Sequence, residues 1–302
     1  MMNKANRPSK SPIYVAVLFV VAIILLFFFD KEGYTQRLLK LVNNSNEYDY
    51  VRFLDVGQAD CTLIKSGDKY ALIDAGNLVD DGFNLEKKLL SYGVKRIEFI
   101  LISHLHSDHA GGIGRIISNF DVDSIYYPSV CDMDDDIYKE AKRIANDKII
   151  NIYHLNKGDK IHMDDSLFEV IWLDDYAYEN DSSLVLSLKS NGMSFYFGGD
   201  ISTTVERKML KADVLQDFDV IKASHHGSKT SNCGEFLDAV SPEYCIAFCG
   251  IDNAYNFPSD EFLERINSRD INMFTTAQNG DITFNTEKRE ILLQKTNATY
   301  QR

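Results

Sequence analysis

The chain reads Ser103-His104-Leu105-His106-Ser107-Asp108-His109 at its most informative point, and Gly111-Gly112 follow directly. This motif places three imidazoles and one carboxylate within six residues. Imidazole and carboxylate groups are common ligands of zinc, manganese and iron. A lone histidine on an apolar face is usually a hydrogen-bonded core residue, but three histidines and an aspartate at this spacing predict a metal site.

The residues around the motif explain how it becomes one site. Ile97–Ile102 is rich in β-branched and aromatic residues and predicts a buried strand. Because strand side chains alternate between faces, we expect His104 and His106 to emerge on the same side. Ser107–Gly112 has no strand character, so the chain must turn there and bring the aspartate and the third histidine to a second position.

Two later segments offer further ligands. Met193–Asp200 reads as the second strand of a hairpin and ends in two glycines and an aspartate. A carboxylate at the end of a buried strand is costly unless it is paired or metal-bound. Alone, Asp200 would be interpreted as a turn aspartate after Gly-Gly, but beside the motif at 104–109 it is the expected bridging ligand. Asp219–Ser228 is another strand that runs into the pair His225-His226 and a glycine turn. One of these imidazoles should complete the ligand set, and the other should support a ligand or face substrate.

The remaining pattern indicates an α/β fold. Val51–Ile64 reads as strand, turn and strand, and Lys69–Gly76 reads as the next strand. A helix is predicted from about Asn84 to Tyr92, with Gly93 as its C-terminal stop. Strands and helices in this order are typical of an α/β domain. Lys222, in the strand before the histidine pair, reads as an ordinary surface or core-edge lysine, with a substrate phosphate as the alternative partner.

The N-terminus predicts a membrane anchor. Ile13–Phe29 is a run of seventeen apolar residues without a charge, which spans about 25 Å as a helix. The basic residues that precede it place residues 1–12 in the cytoplasm and everything after the anchor outside the cell. A cleaved signal peptide is the alternative, but no small-x-small cleavage site follows the run. We therefore expect a transmembrane anchor at 13–29, a stalk at 30–49 and a folded domain at 50–297.

Composition limits the classes of partner. Of the 302 residues, 45% are hydrophobic and 25% are charged, which is typical of a folded domain. The net charge of −13 argues against a broad basic surface for nonspecific binding of duplex DNA. The five cysteines form no C-x-x-C pair and are odd in number, so we expect free thiols.

These motifs together resemble the metallo-β-lactamase superfamily and, within it, the extracellular hydrolase domain of ComEC-type competence proteins. The histidine motif is diagnostic of the superfamily, and the DVGQ and SHHGS runs point to the ComEC-like branch. The matching runs are Asp55–Asp60, Ile73–Gly76, Ser103–Gly112, Asn180–Val185, Gly198–Asp200 and Ser224–Ser228. The resemblance implies a four-layered αββα sandwich, preceded here by one transmembrane helix, with the site at one edge of the two sheets.

The resemblance also implies a binuclear centre. Its predicted metal ligands are His104, His106, Asp108, His109, Asp200 and His225. Asp108 and His226 are predicted to be catalytic, although His226 could instead be the ligand. We expect two divalent ions, zinc first, with manganese or iron as alternatives, because mixed nitrogen and oxygen ligands suit all three. Two such ions about 3.5–4 Å apart provide a hydroxide at neutral pH and neutralise charge on an attacked phosphoryl or carbonyl oxygen.

Two of the chain's departures from the family pattern concern the predicted ligands. Phe257 stands before Pro258 where a histidine is usual. A further histidine between the main motif and the bridging aspartate has no clear equivalent. His154 and His162 lie in that interval but in no matching motif, and Asn180 or Asp181 is nearer the expected place.

The resulting functional prediction is a single-pass protein of the cell membrane with an extracellular, metal-dependent hydrolase domain. The resemblance implies a phosphodiesterase or nuclease that acts on single-stranded DNA or on an envelope polymer. Three alternatives stay open: a phosphodiesterase for teichoic-acid-type linkages, an acyl or β-lactam hydrolase, and a non-catalytic metal-binding partner of a DNA-uptake channel.

Overall fold

A computed structural model describes residues 48–77, 84–176 and 179–294. By its contacts, the compact unit that contains them begins at Tyr48, close to the predicted domain start at residue 50. The predicted cytoplasmic segment, the anchor at 13–29 and nearly all of the stalk lie outside the described residues. Among the helices that are described, none has both the length and the apolar character needed to cross a bilayer.

The described strands form two sheets. Their bounds are β1 (Tyr50–Phe53), β2 (Thr62–Ser66), β3 (Lys69–Ile73), β4 (Arg96–Leu101), β5 (Asp121–Pro128), β6 (Asn151–Leu155), β7 (Lys160–Met163), β8 (Ser166–Trp172), β9 (Val185–Ser190), β10 (Met193–Phe197), β11 (Val220–Lys222), β12 (Tyr244–Ala247), β13 (Asn272–Thr275), β14 (Asp281–Asn285) and β15 (Glu290–Gln294). The first sheet has the order β15-β14-β1-β2-β3-β4-β5-β6, and the second has the order β13-β12-β11-β10-β9-β8-β7.

Helices connect the strands, and two 3-10 turns carry residues near the site. The helices are α1 (Leu85–Ser91), α2 (Ser107–Ala110), α3 (Ile113–Asn119), α4 (Asp136–Lys148), α5 (Thr203–Lys211), α6 (Gly234–Val240), α7 (Asp260–Asn267) and α8 (Thr276–Asn279). The 3-10 turns are Glu179–Ser182 and Ser224–Gly227.

Three apolar layers separate the sheets and helices. The middle layer packs one sheet on the other through residues such as Phe53, Phe168 and Phe195. A second layer fills the space between the first sheet and helices α1, α3 and α4, and a third lies between the second sheet and helices α5, α6 and α7. This order of helix, sheet, sheet and helix confirms the predicted mixed α/β sandwich with two sheets.

Local predictions agree with these elements. Asn84 caps α1 by accepting a hydrogen bond from the Lys87 N–H, and the helix ends just before Gly93, as predicted. The predicted hairpin is formed by the antiparallel strands β9 and β10. The five cysteines are free thiols.

The predicted site residues follow strands whose C-terminal ends meet at one edge of the sandwich. Strands β3 and β4 are parallel neighbours in the first sheet, and β10 and β11 are parallel neighbours in the second. The Leu184 N–H donates to the Ser103 carbonyl at 2.9 Å, which joins the two sheets at this edge. Gly112 is required here because a Cβ at that position would collide with the Ala75 carbonyl oxygen.

Candidate metal centre

The histidine motif lies in the connection between β4 and α2. Strand β4 ends at Leu101, so His104 and His106 lie beyond it and not on an alternating strand, but their ring centroids are 4.8 Å apart. The short helix α2 then turns the chain and brings His109 to 4.2 Å from His104, measured between ring centroids. His104 and His109 are buried, whereas the side chain of His106 is 47% exposed.

Four of the predicted residues converge in what we call the inner group: Asp108, His109, Asp200 and His226. One possible ligand atom from each lies within 4.8 Å of the others. The Nε2 of His226 lies 3.1 Å from Asp108 Oδ2 and 3.6 Å from Asp200 Oδ2, and the Nε2 of His109 lies 3.2 Å from Asp200 Oδ1. Two ligands that share a tetrahedral ion at ordinary bond lengths are separated by about 3.3–3.6 Å. The inner group is therefore spaced for a metal ion.

Hydrogen bonds at Nδ1 aim three histidines into the centre. His109 Nδ1 lies 2.8 Å from Asp74 Oδ2, and His226 Nδ1 lies 3.1 Å from the Phe248 carbonyl oxygen. His104 Nδ1 lies 3.1 Å from Ser103 Oγ. A proton on Nδ1 leaves the Nε2 lone pair for a metal. Within the described chain, the Nε2 atoms of His104 and His109 are buried without a hydrogen-bond partner, which fits ligand atoms.

Carboxylates charge this pocket negatively. Burial opposes protonation of His226, but Asp200 and Asp60 raise its pKa to about 9. Burial likewise opposes protonation of His109, whose pKa the same carboxylates nevertheless raise well above its ordinary value. Such a field favours any cation, a metal ion included.

Lys222 has a role that its sequence context did not indicate. It is buried rather than at the surface, and its Nζ lies 2.5 Å from Asp60 Oδ2 and 3.1 Å from Asp200 Oδ1. It also donates to the Gly199 carbonyl at 2.7 Å. The prediction of an ordinary surface or core-edge lysine was therefore wrong: Lys222 holds the expected bridging carboxylate in place.

The turn that carries His225 and His226 distinguishes the two imidazoles. Both residues have left-handed backbone angles, with φ of 50° and 55°, a conformation that is uncommon for histidine and recurs at functional sites. This backbone directs His226 into the inner group. The Nε2 of His225 lies farther away, 3.9 Å from Asp200 Oδ2, and the side chain is 32% exposed. The geometry favours His226 as the ligand, the alternative left open above, rather than the predicted His225.

We call His104 and His106 the outer pair. His106 lines an open cavity of about 820 Å³ together with Glu179, Asp200 and His225, among others, and His104 lines an adjacent cavity of about 180 Å³ that Glu179 also borders. The two other histidines of the interval are elsewhere: His154 lies 3.1 Å from the Tyr138 hydroxyl, and His162 is exposed on β7. Asp181 is engaged by Ser202, whose N–H and hydroxyl both donate to it. The outer pair has no third histidine among the described residues.

An aromatic strip lines the rim of the centre where the family usually has a histidine. The ring of Phe257 lies nearly parallel to that of His226, at an interplanar angle of 18° and a centroid distance of 6.3 Å. Tyr255 stacks on Phe257 at 17° and 5.5 Å and is 67% exposed. Asn253 fixes the loop by bonding both the N–H and the carbonyl of Phe257. The strip presents a flat apolar surface beside the inner group.

Comparison with known proteins agrees with this geometry. The family model of the metallo-beta-lactamase superfamily matches residues 54–250. The chain belongs to this superfamily, whose fold implies a dinuclear metal site.

Its relatives include competence proteins. The chain is 25% identical to ComE operon protein 3 of Bacillus subtilis over 92% of its own length and 40% of the relative's, and 27% identical to competence protein ComA of Neisseria gonorrhoeae over 76% of its own length and 31% of the relative's. It thus spans less than half the length of either protein. Among solved structures, the metallo-beta-lactamase fold protein YhfI of Bacillus subtilis matches 78% of the chain and 98% of its own with a TM-score of 0.55 at 12% identity, which shows the fold.

Proposed function

We propose that this member of the metallo-beta-lactamase superfamily is a binuclear metal-dependent phosphodiesterase that cleaves single-stranded nucleic acid. The observation that carries the proposal is the inner group. Its four side chains lie at ligand spacing, and hydrogen bonds at Nδ1 leave the Nε2 of both its histidines facing the centre. The inner group would hold one divalent ion and the outer pair a second, and together these ions would supply a hydroxide nucleophile and neutralise charge on the attacked phosphoryl group.

The protein's own residues divide the remaining work. Asp74 orients His109, and Lys222 holds the Asp200 carboxylate, so the ligands need little reorganisation. We assign His226 to the ligand set. His225 borders the open cavity and is partly exposed, so it faces the substrate and donates a hydrogen bond to a phosphoryl or leaving-group oxygen.

Two observations favour a nucleic acid over other phosphodiesters. Tyr255 and Phe257 offer stacked rings beside the inner group, and stacking of one base on an aromatic side chain contributes about 1–3 kcal/mol. The relatives at modest identity include a competence protein by name. The net charge of −13 means that affinity comes from the metal centre and from stacking, not from a basic surface.

We further propose that Ile13–Phe29 anchors the protein in the cell membrane and that the hydrolase domain faces outward. The support is the length and uniform apolarity of this run and the basic residues before it. External protease added to intact cells should then degrade the domain from residue 48 onward. Protection of the domain until the cells are lysed would contradict the outward orientation.

The enzymatic proposal is tested on the purified full chain by metal content together with turnover of bis-p-nitrophenyl phosphate. We expect two metal ions per chain and hydrolysis that chelation abolishes. Bound metal without turnover of this ester, of nitrocefin or of single-stranded DNA would contradict it and favour the non-catalytic partner of an uptake channel. Preference for nitrocefin, or for a teichoic-acid fragment over a dinucleotide, would instead support one of the other hydrolases.

A further inference from the structure

The outer pair has no third histidine among the described residues, and Glu179 lies beside it. Its Oε1 accepts a hydrogen bond from the Leu105 N–H at 3.0 Å. Leu105 lies between His104 and His106, so this bond joins Glu179 to the segment that carries the outer pair. We propose that Glu179 is a metal ligand of the outer pair and occupies the place that a histidine has in much of the superfamily. The inference deepens the proposed function.

The position of the second carboxylate oxygen supports this role. Glu179 Oε2 lies 3.5 Å from His106 Nε2. That separation is too long for a good hydrogen bond, but it matches two ligands on one tetrahedral ion, about 3.3–3.6 Å apart. In the inner group, His226 Nε2 and Asp200 Oδ2 lie a similar distance apart, at 3.6 Å.

A second observation points to a metal ion beside the Glu179 carboxylate. His104 is only 1% exposed, and within the described chain its buried Nε2 has no hydrogen-bond partner. Its Nδ1 is engaged by Ser103, so Nε2 is the atom left for a ligand. His104 and Glu179 line the same cavity. The buried His104 imidazole thus borders the same cavity as the Glu179 carboxylate, whose Oε2 approaches His106 Nε2.

The neighbouring candidates are less suitable. Both Asp181 oxygens accept hydrogen bonds from Ser202, at 2.7 and 3.1 Å, which commits that carboxylate to the start of α5. Asn180 has a buried Oδ1 without a partner, but a neutral amide is a weaker ligand than a carboxylate and balances no charge. Glu179 alone in this turn combines a charge with a measured approach to His106.

A carboxylate in place of an imidazole changes which metal is favoured. Carboxylate oxygen is harder than imidazole nitrogen, so the outer position should prefer manganese or iron(II) relative to an all-histidine position, which suits zinc. A Glu179 ligand therefore predicts which metal the outer position prefers, as well as how many ions the chain binds.

The test is metal binding by the full chain, read independently of turnover. Wild type, Glu179→Ala, Glu179→His and the control Asp175→Asn are stripped, equilibrated with buffered Mn²⁺ and analysed for metal content and by electron paramagnetic resonance. Asp175 is an exposed carboxylate on the wall of the neighbouring cavity, so it controls for general loss of charge. We expect two Mn²⁺ ions with a spin-coupled spectrum in wild type and in Asp175→Asn.

For Glu179→Ala we expect one ion, an uncoupled spectrum and at least about 100-fold weaker binding of the second ion, beyond the 10–100-fold typical of residues that only support a ligand. Glu179→His should bind two ions and shift its preference towards zinc. Retention of the one inner ion shows that the alanine variant is folded. The inference is overturned if Glu179→Ala keeps both ions at unchanged affinity, if Asp175→Asn loses the second ion as well, or if wild type holds only one.

These outcomes are separate from those of the proposed function. A wild type that binds two Mn²⁺ ions, loses one on Glu179→Ala and yet cleaves no phosphodiester would retain the ligand and contradict the activity. Phosphodiester turnover together with an unchanged metal content in Glu179→Ala would support the proposed activity and contradict the ligand role of Glu179.

Discussion

The two halves of the centre contrast in burial and in support. In the inner group, the side chains of His109, Asp200 and His226 are at most 3% exposed. The outer half, which consists of the outer pair and Glu179, opens to solvent at His106 and Glu179, whose side chains are 47% and 44% exposed, whereas His104 is buried. The inner half is fixed by buried carboxylates and a lysine, whereas Glu179 in the outer half is held by one hydrogen bond from a backbone N–H.

This difference indicates how one centre can both hold metal and admit substrate. A ligand set that is locked by buried partners binds an ion tightly and pays little reorganisation on binding. A set that borders an open cavity can change its coordination when substrate arrives. We therefore expect a tight inner ion and a weaker, substrate-accessible outer ion.

Asp200→Ala should have the largest effect, because Asp200 is the predicted bridging ligand of the two ions. We expect loss of both ions and a fall in kcat of about 1,000-fold or more, equivalent to about 4 kcal/mol of transition-state stabilisation. Metal content and turnover of bis-p-nitrophenyl phosphate measure it, and Asp217→Asn, at an exposed aspartate, is the control. If Asp200→Ala retains both ions, Asp200 is not the bridging ligand.

Lys222→Met should destabilise the metal-free protein, because it leaves Asp60 and Asp200 buried without their cation. Breaking a buried pair by removing one partner costs about 3–5 kcal/mol. Urea unfolding with and without Mn²⁺ checks this, since bound metal should restore part of the loss. Equal unfolding free energies for the variant and wild type without metal would show that Lys222 is not a structural counter-ion.

Glu206 links stability of the inner half to pH. It accepts hydrogen bonds from the N–H groups of Asn232 and Cys233, and Asn232 in turn accepts from the Ser224 N–H at the start of the His226 turn. Burial raises the Glu206 pKa from 4.5 to about 7, against the opposing hydrogen bonds. The folded state therefore binds this proton more tightly than the unfolded chain, so the associated stability is present at low pH and is lost as pH rises through about 7.

The size of that effect is up to about 3 kcal/mol between the low-pH and high-pH limits. Urea unfolding of wild type and Glu206→Gln at pH 5.5 and 8 isolates it, because the amide cannot titrate. We expect the free energy of unfolding of wild type, relative to that of Glu206→Gln, to be lower at pH 8 than at pH 5.5. A difference that does not change with pH would mean that Glu206 keeps the same protonation state in both.

The smallest expected effect separates the halves from each other. His106→Ala should remove the outer ion and leave the inner ion bound, whereas His109→Ala should lose the inner ion, because its Nε2 lies at the middle of the inner group. Stepwise Mn²⁺ titration of both variants distinguishes them. Equal losses in the two variants would show that the halves are one cooperative unit.

The sequence predicted those site residues that lie close to one another along the chain. The motif at 104–109 could be read directly because its ligands are within six residues of one another, and the two-sheet fold followed from the family resemblance. Lys222 lies in β11, Asp74 directly follows β3 and Asp60 lies in the loop before β2, but their roles arise only when the strand ends meet at one edge.

Two further features have no pattern that sequence could reveal. The left-handed backbone at His225 and His226 sends the second imidazole inward, which strand alternation cannot predict. Glu179 lies in an irregular 3-10 turn, where no periodicity marks the face that meets His106.

The most direct test is a Mn²⁺ titration of the metal-free full chain in which bound metal and cleavage of thymidine 5′-monophosphate p-nitrophenyl ester are measured in the same samples. The account predicts two binding steps, a tight one that gives little activity and a weaker one with which phosphodiester cleavage appears. A single step, or full activity after the first equivalent, would contradict the division of the centre into an inner and an outer half.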